Sequence, residues 1–122
     1  MARKPTDDSA VPMNPRVFMI LLAFAEGSAH GYQVKKAVEE RSGGSLRLDA
    51  GSLYRSLAKL VDEGLVVESG ERPDPDMDDT RRRYYELTER GRAVVAAEAA
   101  RLANLVEYAR QNDLIGVAAE AR

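Results

Sequence analysis

The stretch from Asp49 to Gly64, DAGSLYRSLAKLVDEG, constrains this chain more than any other. It opens on a residue suited to cap a helix and closes on one suited to end it. At about 100° per residue, Leu53, Leu57, Leu60 and Val61 fall on one side of such a helix. Ser52, Arg55, Ser56 and Lys59 fall on another, within about 100° of arc. The first side has to be buried. The second is polar and basic, with donors that suit phosphates and base edges. An ordinary amphipathic helix with a solvated face has the same pattern, so the flanks decide between the two readings.

With 122 residues the chain is long enough for one domain with one core. A net charge of −2 gives no whole-protein case for nucleic acid, which leaves only the placement of the charges. The absence of cysteine excludes a disulfide scaffold, a thiol nucleophile and thiolate metal sites, and fits a reducing cytoplasm. The longest apolar run, 17–25, falls short of the roughly 20 residues needed to cross a bilayer, so no membrane partner is expected. Asp7, Asp8, Pro12 and Pro15 speak against reading it as a secretory leader.

Residues 1–13 are polar and without period, and read as a flexible arm. Asn14-Pro15 starts a helix expected to run to about Glu26, with Gly27 closing it. Val17, Phe18, Ile20, Leu21, Leu22 and Phe24 wrap most of its circumference, which calls for burial on more than one side. The residues from Ser28 to Tyr32 turn into a second helix with Tyr32, Val34, Ala37 and Val38 on its face, fraying at Ser42-Gly43-Gly44. Leu46-Arg47-Leu48 alternates like a short strand. After the helix ending at Gly64, Leu65 to Ser69 reads as a strand, and Arg82 to Leu87 as a second. The loop between them carries Pro73, Pro75 and four aspartates. Thr88 caps a long last helix in which Val95, Ala99, Leu102, Val106 and Ala109 form a seam spaced 4, 3, 4, 3.

Three helices followed by a two-stranded hairpin is the winged helix-turn-helix arrangement, in which the third helix enters the major groove and the wing touches the backbone nearby. The fold expected is therefore mainly α with a small β-hairpin. The divisions are a flexible arm over 1–13, a winged helix-turn-helix over 14–88, a dimerisation helix over 89–112 and a tail over 113–122. Charge supports it: residues 80–92 carry five Arg, among them Arg81, Arg82 and Arg83, against Glu86 and Glu89, a local +3. The competing reading of the arginines is a charged strand edge that resists aggregation. Residues 68–79 carry Glu68, Glu71, Asp74, Asp76, Asp78 and Asp79 against Arg72, a local −5 that phosphate would repel, so this loop is expected to bend away from DNA.

His30-Gly31-Tyr32, Gly51-Ser52-Leu53-Tyr54, Leu57 to Leu60, Glu63-Gly64-Leu65-Val66 and the run from Arg83 to Gly91 together resemble the PadR family of bacterial transcriptional regulators, in its short C-terminal-helix form. The resemblance spans about residues 16–110. It implies a homodimer that binds operator DNA, usually as a repressor, with the C-terminal helix packing on the partner's first helix. It also implies a small effector in some members. Many members have proline after the Leu-Tyr pair, where this chain has Arg55, which adds a basic donor.

The DNA-binding residues expected are Ser52, Tyr54, Arg55, Ser56, Lys59, Arg81, Arg82 and Arg83. Tyr54 lies outside both arcs of its helix, and either meets a phosphate or packs against the second helix. Tyr32 and Tyr85 read as core or hinge residues. His30, the single histidine, has no partners for metal or catalytic work and is expected to bond the backbone at its turn. Asp74 to Asp79 begins like a calcium loop but lacks the glycine and the final glutamate. No residue set for catalysis appears, so neither enzyme activity nor a cofactor is expected. Val17, Phe18, Leu21, Val95, Ala99, Leu102, Val106 and Ala109 are the expected dimer interface. The resulting reading is a sequence-specific regulator, a homodimer on a pseudo-palindromic operator, with a small hydrophobic effector as a further partner. The alternative is a winged helix that holds a protein by its acidic wing.

Overall fold

A computed structural model of the chain describes residues 12–70 and 83–115. The elements are α1 (Pro15–Leu22), β1 (Ala29–His30), α2 (Gly31–Arg41), α3 (Ala50–Asp62), β2 (Val66–Ser69), β3 (Tyr84–Leu87) and α4 (Glu89–Gln111). The three strands form one antiparallel sheet in the order β1-β3-β2, with Glu68 opposite Tyr85 and His30 opposite Tyr84. Ile20, Leu21, Phe24, Val34, Val38, Leu53, Leu57, Leu60, Val66 and Val94 meet in a single core. This is the helical winged-helix architecture expected, with one strand more in the sheet.

The helix starts follow the caps in the sequence. Asn14, Asp49 and Thr88 each accept a backbone N–H of the first turn, from Arg16 at 2.8 Å, Ser52 at 2.7 Å and Gly91 at 2.9 Å. His30 caps α2: its Nδ1 accepts from the Gln33 N–H at 3.3 Å, and Gln33 Oε1 accepts from the His30 N–H at 2.9 Å. That reciprocal pair is the backbone bonding expected of this histidine.

Several expectations are corrected. The short strand is not at Leu46-Arg47-Leu48 but at Ala29–His30. Ser42 Oγ accepts from the Leu46 N–H at 3.0 Å and donates to the Leu46 carbonyl at 3.3 Å, which curls this segment and drops Leu48 into the core. The first helix ends at Leu22, and turns carry the chain on to Gly27. The second helix does not fray: Gly44 and Gly43 bond back to the Glu39 and Glu40 carbonyls in a closed cap. Tyr32 and Val61, read as apolar-face residues, are exposed. Met13, assigned to the flexible arm, is half-buried and its backbone bonds Glu98.

The corner where α3, β2 and α4 meet sets the geometry of the wing. Gly64 has φ +80°, and the Leu65 N–H reaches the Leu60 carbonyl at 3.0 Å, so the chain reverses sharply out of α3. Thr88 Oγ1 then donates to the Gly64 carbonyl at 2.6 Å, the Thr88 N–H to the Leu65 carbonyl at 3.1 Å, and Arg90 to the Glu63 carbonyl. Gly91 faces Leu65 so closely that a Cβ there would sit 3.0 Å from the Leu65 carbonyl carbon. The Glu63-Gly64-Leu65 and Thr88 to Gly91 motifs are thus two halves of one joint.

Candidate nucleic-acid interface

Leu53, Leu57 and Leu60 are buried and clamp α3 to the core, while Tyr54, Arg55, Ala58 and Lys59 are exposed on its outer side. Ser52 and Ser56 are half-buried, so the open face is rotated from the arc expected, away from the serines and toward Tyr54. Arg55 folds back along the helix: a Cβ on Gly51 would lie 3.4 Å from its guanidinium and 3.5 Å from the Asp49 carboxylate. Lys59 stands 3.9 Å from Glu63, with its side chain 75% exposed. Gly51 and Ala58 keep this face low, so another surface can approach the helix closely.

Tyr54 packs against the second helix without being withdrawn from the surface. A Cβ on Gly31 would lie 2.8 Å from Tyr54 Cζ, so the ring covers the start of α2, yet the residue stays 44% exposed. It lines an open groove of about 610 Å³ with Ala58 and Val61 on the α3 side and Glu68, Arg83 and Tyr85 on the wing. Tyr85 is buried, as expected of a core residue, and burial pushes its hydroxyl above the ordinary range, helped by the negative charge of Glu68. Tyr32 stacks on His30 with ring centres 6.5 Å apart, and Tyr84 meets that imidazole edge-on at 5.1 Å. Arg83 is exposed; Arg81, Arg82 and the acidic residues 71–79 lie outside the described residues.

The second candidate surface runs along α1 and α4. Val17 and Phe18 are half-buried, whereas Leu21 is fully buried in its own domain and has no surface left for a partner, which corrects its assignment. Val95 packs on the core, Leu102 and Ala109 are half-buried, and Ala99 and Val106 are exposed. Leu105 and Tyr108, absent from the expected seam, are 54% and 67% exposed. Glu98 was also missed. It is 1% exposed, and its carboxylate accepts from Arg101 Nε at 2.9 Å and Nη2 at 2.7 Å. Those bonds, with one from the Met13 backbone, hold Glu98 below the usual carboxylate range, while burial works against them. Its signal was in the spacing: Gly91, Val94, Glu98 and Leu102 recur at helical intervals, with Arg101 three residues on. Beside the pair is a cavity of about 320 Å³ lined largely by Met13, Phe18, Met19, Leu22 and Leu102. No helix of the described residues is long and apolar enough to cross a membrane.

Residues 20–97 match the family model described as the transcriptional regulator PadR-like family. A 37.1 kDa uncharacterized protein of transposon TN4556 from Streptomyces fradiae is 37% identical over 92 residues. The match takes in 75% of this chain, which spans about a quarter (24%) of that relative's length. RosR of H. salinarum is 28% identical, with a TM-score of 0.60 over 85% of this chain and 96% of that one. Bacillus subtilis PadR in complex with operator DNA is 22% identical, with a TM-score of 0.54 over 66% of this chain and 45% of that one. A PadR family regulator from Clostridium difficile is 18% identical, with a TM-score of 0.63 over 80% of this chain and 97% of that one. The last two likenesses are likenesses of fold.

Proposed function

The chain belongs to the transcriptional regulator PadR-like family, and from that premise we propose that it is a DNA-binding transcriptional repressor acting as a homodimer on a pseudo-palindromic operator. The observation that carries this reading is the build of α3. Three buried leucines fix the helix, Arg55 and Lys59 are exposed on its outer side, and Arg83 borders the groove between that side and the wing. Arg55 and Lys59 enter the major groove, with Ser52 and Ser56 at the flank of the contact. Tyr54 and Arg83, joined by Arg81 and Arg82, take the phosphates that set the protein's register.

Two such helices have to be held roughly one DNA turn apart, ~34 Å, which one copy cannot do. We place the second copy against Val17, Phe18, Ala99, Leu102, Leu105, Val106 and Ala109, with Val95 at the inner edge. A small apolar effector that releases the operator fits the cavity beside α1, whose walls are mostly apolar and whose volume of about 320 Å³ is of ligand size.

Selection of bound duplexes from a random pool tests the reading. One enriched palindrome is expected, with half-sites about one turn apart. Replacing Arg55 by Ala is expected to cost about 1–3 kcal/mol on that sequence and to relax the preference at one position of each half-site. A pool that emerges unenriched, with binding independent of salt, would sink the reading.

A further inference from the structure

The groove between α3 and the wing holds a charge of the wrong sign for a phosphate seat. Glu68 lies on β2 directly opposite Tyr85 on β3. Both residues, together with Arg83, line the wing side of the groove, across from Tyr54, Ala58 and Val61. Glu68 therefore points the same way as the arginine assigned to the backbone. Its negative charge is felt at the Tyr85 hydroxyl, which burial already pushes up, and the positive charge of Arg83 acts there in the opposite sense. One cation and one anion thus line the wing side of a groove whose other walls are phenol rings and small apolar groups. The register fixes the Glu68 backbone within a strand, so its side chain leaves the sheet on the groove side.

We propose that Glu68 is an affinity-limiting residue of the DNA-binding face: its carboxylate lies where a DNA strand passes between α3 and the wing, and it weakens binding to DNA of every sequence. The proposal rests on the DNA-binding reading above. Phosphate contact supplies nearly all the affinity for random DNA and carries no sequence information. A genome offers some 10⁶–10⁹ competing sites, so a regulator gains when phosphate attraction is held down and base contacts choose the site. A carboxylate beside Arg83 does this in two ways: it offsets part of that arginine's charge, and it repels the strand. Two unit charges about 8 Å apart at a dielectric between water and protein interact strongly enough to change binding by about fivefold.

Fluorescence anisotropy with a random-sequence duplex and with the selected operator, each over a range of salt, tests this. The proteins are the wild type, Glu68→Gln and Glu86→Gln. Glu86 pairs with Val67, one step along the sheet from the Glu68–Tyr85 pair, and so faces the other way. Glu68→Gln is expected to bind both duplexes about fivefold more tightly. The slope of log K against log salt should steepen by about 0.9, the value for one more neutralised phosphate. Glu86→Gln should do markedly less. Unchanged affinity and slope for Glu68→Gln would overturn the proposal, as would tightening on the operator alone or an equal effect of Glu86→Gln. Wild type that binds neither duplex would instead defeat the DNA-binding reading itself.

Discussion

Helices α3 and α4 are built inside out with respect to each other. In α3 the leucines are buried and the cations stand in solvent. In α4 a carboxylate is buried on the inner face and large apolar side chains, Leu105, Val106 and Tyr108, are exposed. The ion pairs differ in the same sense. Lys59 and Glu63 are 3.9 Å apart and exposed, whereas Arg101 grips Glu98 with two bonds, the shorter 2.7 Å. Exposed charge that is loosely held is available to a polyanion. Exposed apolar surface beyond a satisfied buried charge suits an apolar partner. One helix turns charge to solvent, and the other turns large apolar side chains to it.

The largest effect that separates the two comes from cutting one leucine in each. Leu57 is fully buried, so Leu57→Ala should lower stability by about 2–5 kcal/mol in urea unfolding. Leu105 is 54% exposed, and Leu105→Ala should shift the urea midpoint little at dilute concentration. Its effect should appear in sedimentation, as weaker self-association. If Leu105→Ala matched Leu57→Ala in stability and left association alone, the contrast drawn between the helices would be wrong.

The sequence made α3 legible because everything that builds it is local: an acidic cap, leucines at helical spacing and a glycine stop. The same holds for α4's cap and for the strands of the wing. What stayed hidden depends on contacts across long separations. The strand at Ala29–His30 exists because it pairs with Tyr84 and Tyr85, more than fifty residues on. Tyr54's resting place depends on Gly31, which leaves room for the ring. The rotation of the open face toward Tyr54 follows from where α2 and the wing flank α3. The seam from Val95 follows apolar residues alone. Glu98 falls outside it because a carboxylate on an inner face is stable only with Arg101 and the Met13 backbone around it, and Met13 lies far from it in the chain.

Acid should act on α4 through that carboxylate. Glu98 is held below the ordinary value of 4.5, chiefly by Arg101, so the folded chain binds its proton less readily than the unfolded chain does. Its contribution is therefore complete above that ordinary value and is lost as pH falls below it toward the folded-state value. Urea midpoints measured on descending through this window should fall for the wild type. Glu98→Gln should be less stable at neutral pH and lose less on acidification, since the group that titrates is gone. Parallel pH profiles for the two proteins would show that Glu98 is not held as its bonds to Arg101 indicate.

The smallest effect lies back on α3. If its charges are uncommitted, breaking the Lys59–Glu63 pair should leave the fold almost untouched, because exposed pairs at such distances contribute about 0–1 kcal/mol. Glu63→Gln keeps the backbone carbonyl that Arg90 uses, so the α3–β2–α4 joint survives the change. Stability should stay within about 0.5 kcal/mol of wild type. DNA binding should tighten slightly, because Lys59 loses a competitor for phosphate. Lys59→Ala should act in the opposite direction, flattening the salt dependence by about one unit while leaving the urea midpoint in place. A large loss of stability in either variant would mean that this pair holds the fold. Lys59 could then no longer be read as charge available to a partner, and the opposition between the two helices would reduce to a difference in burial alone.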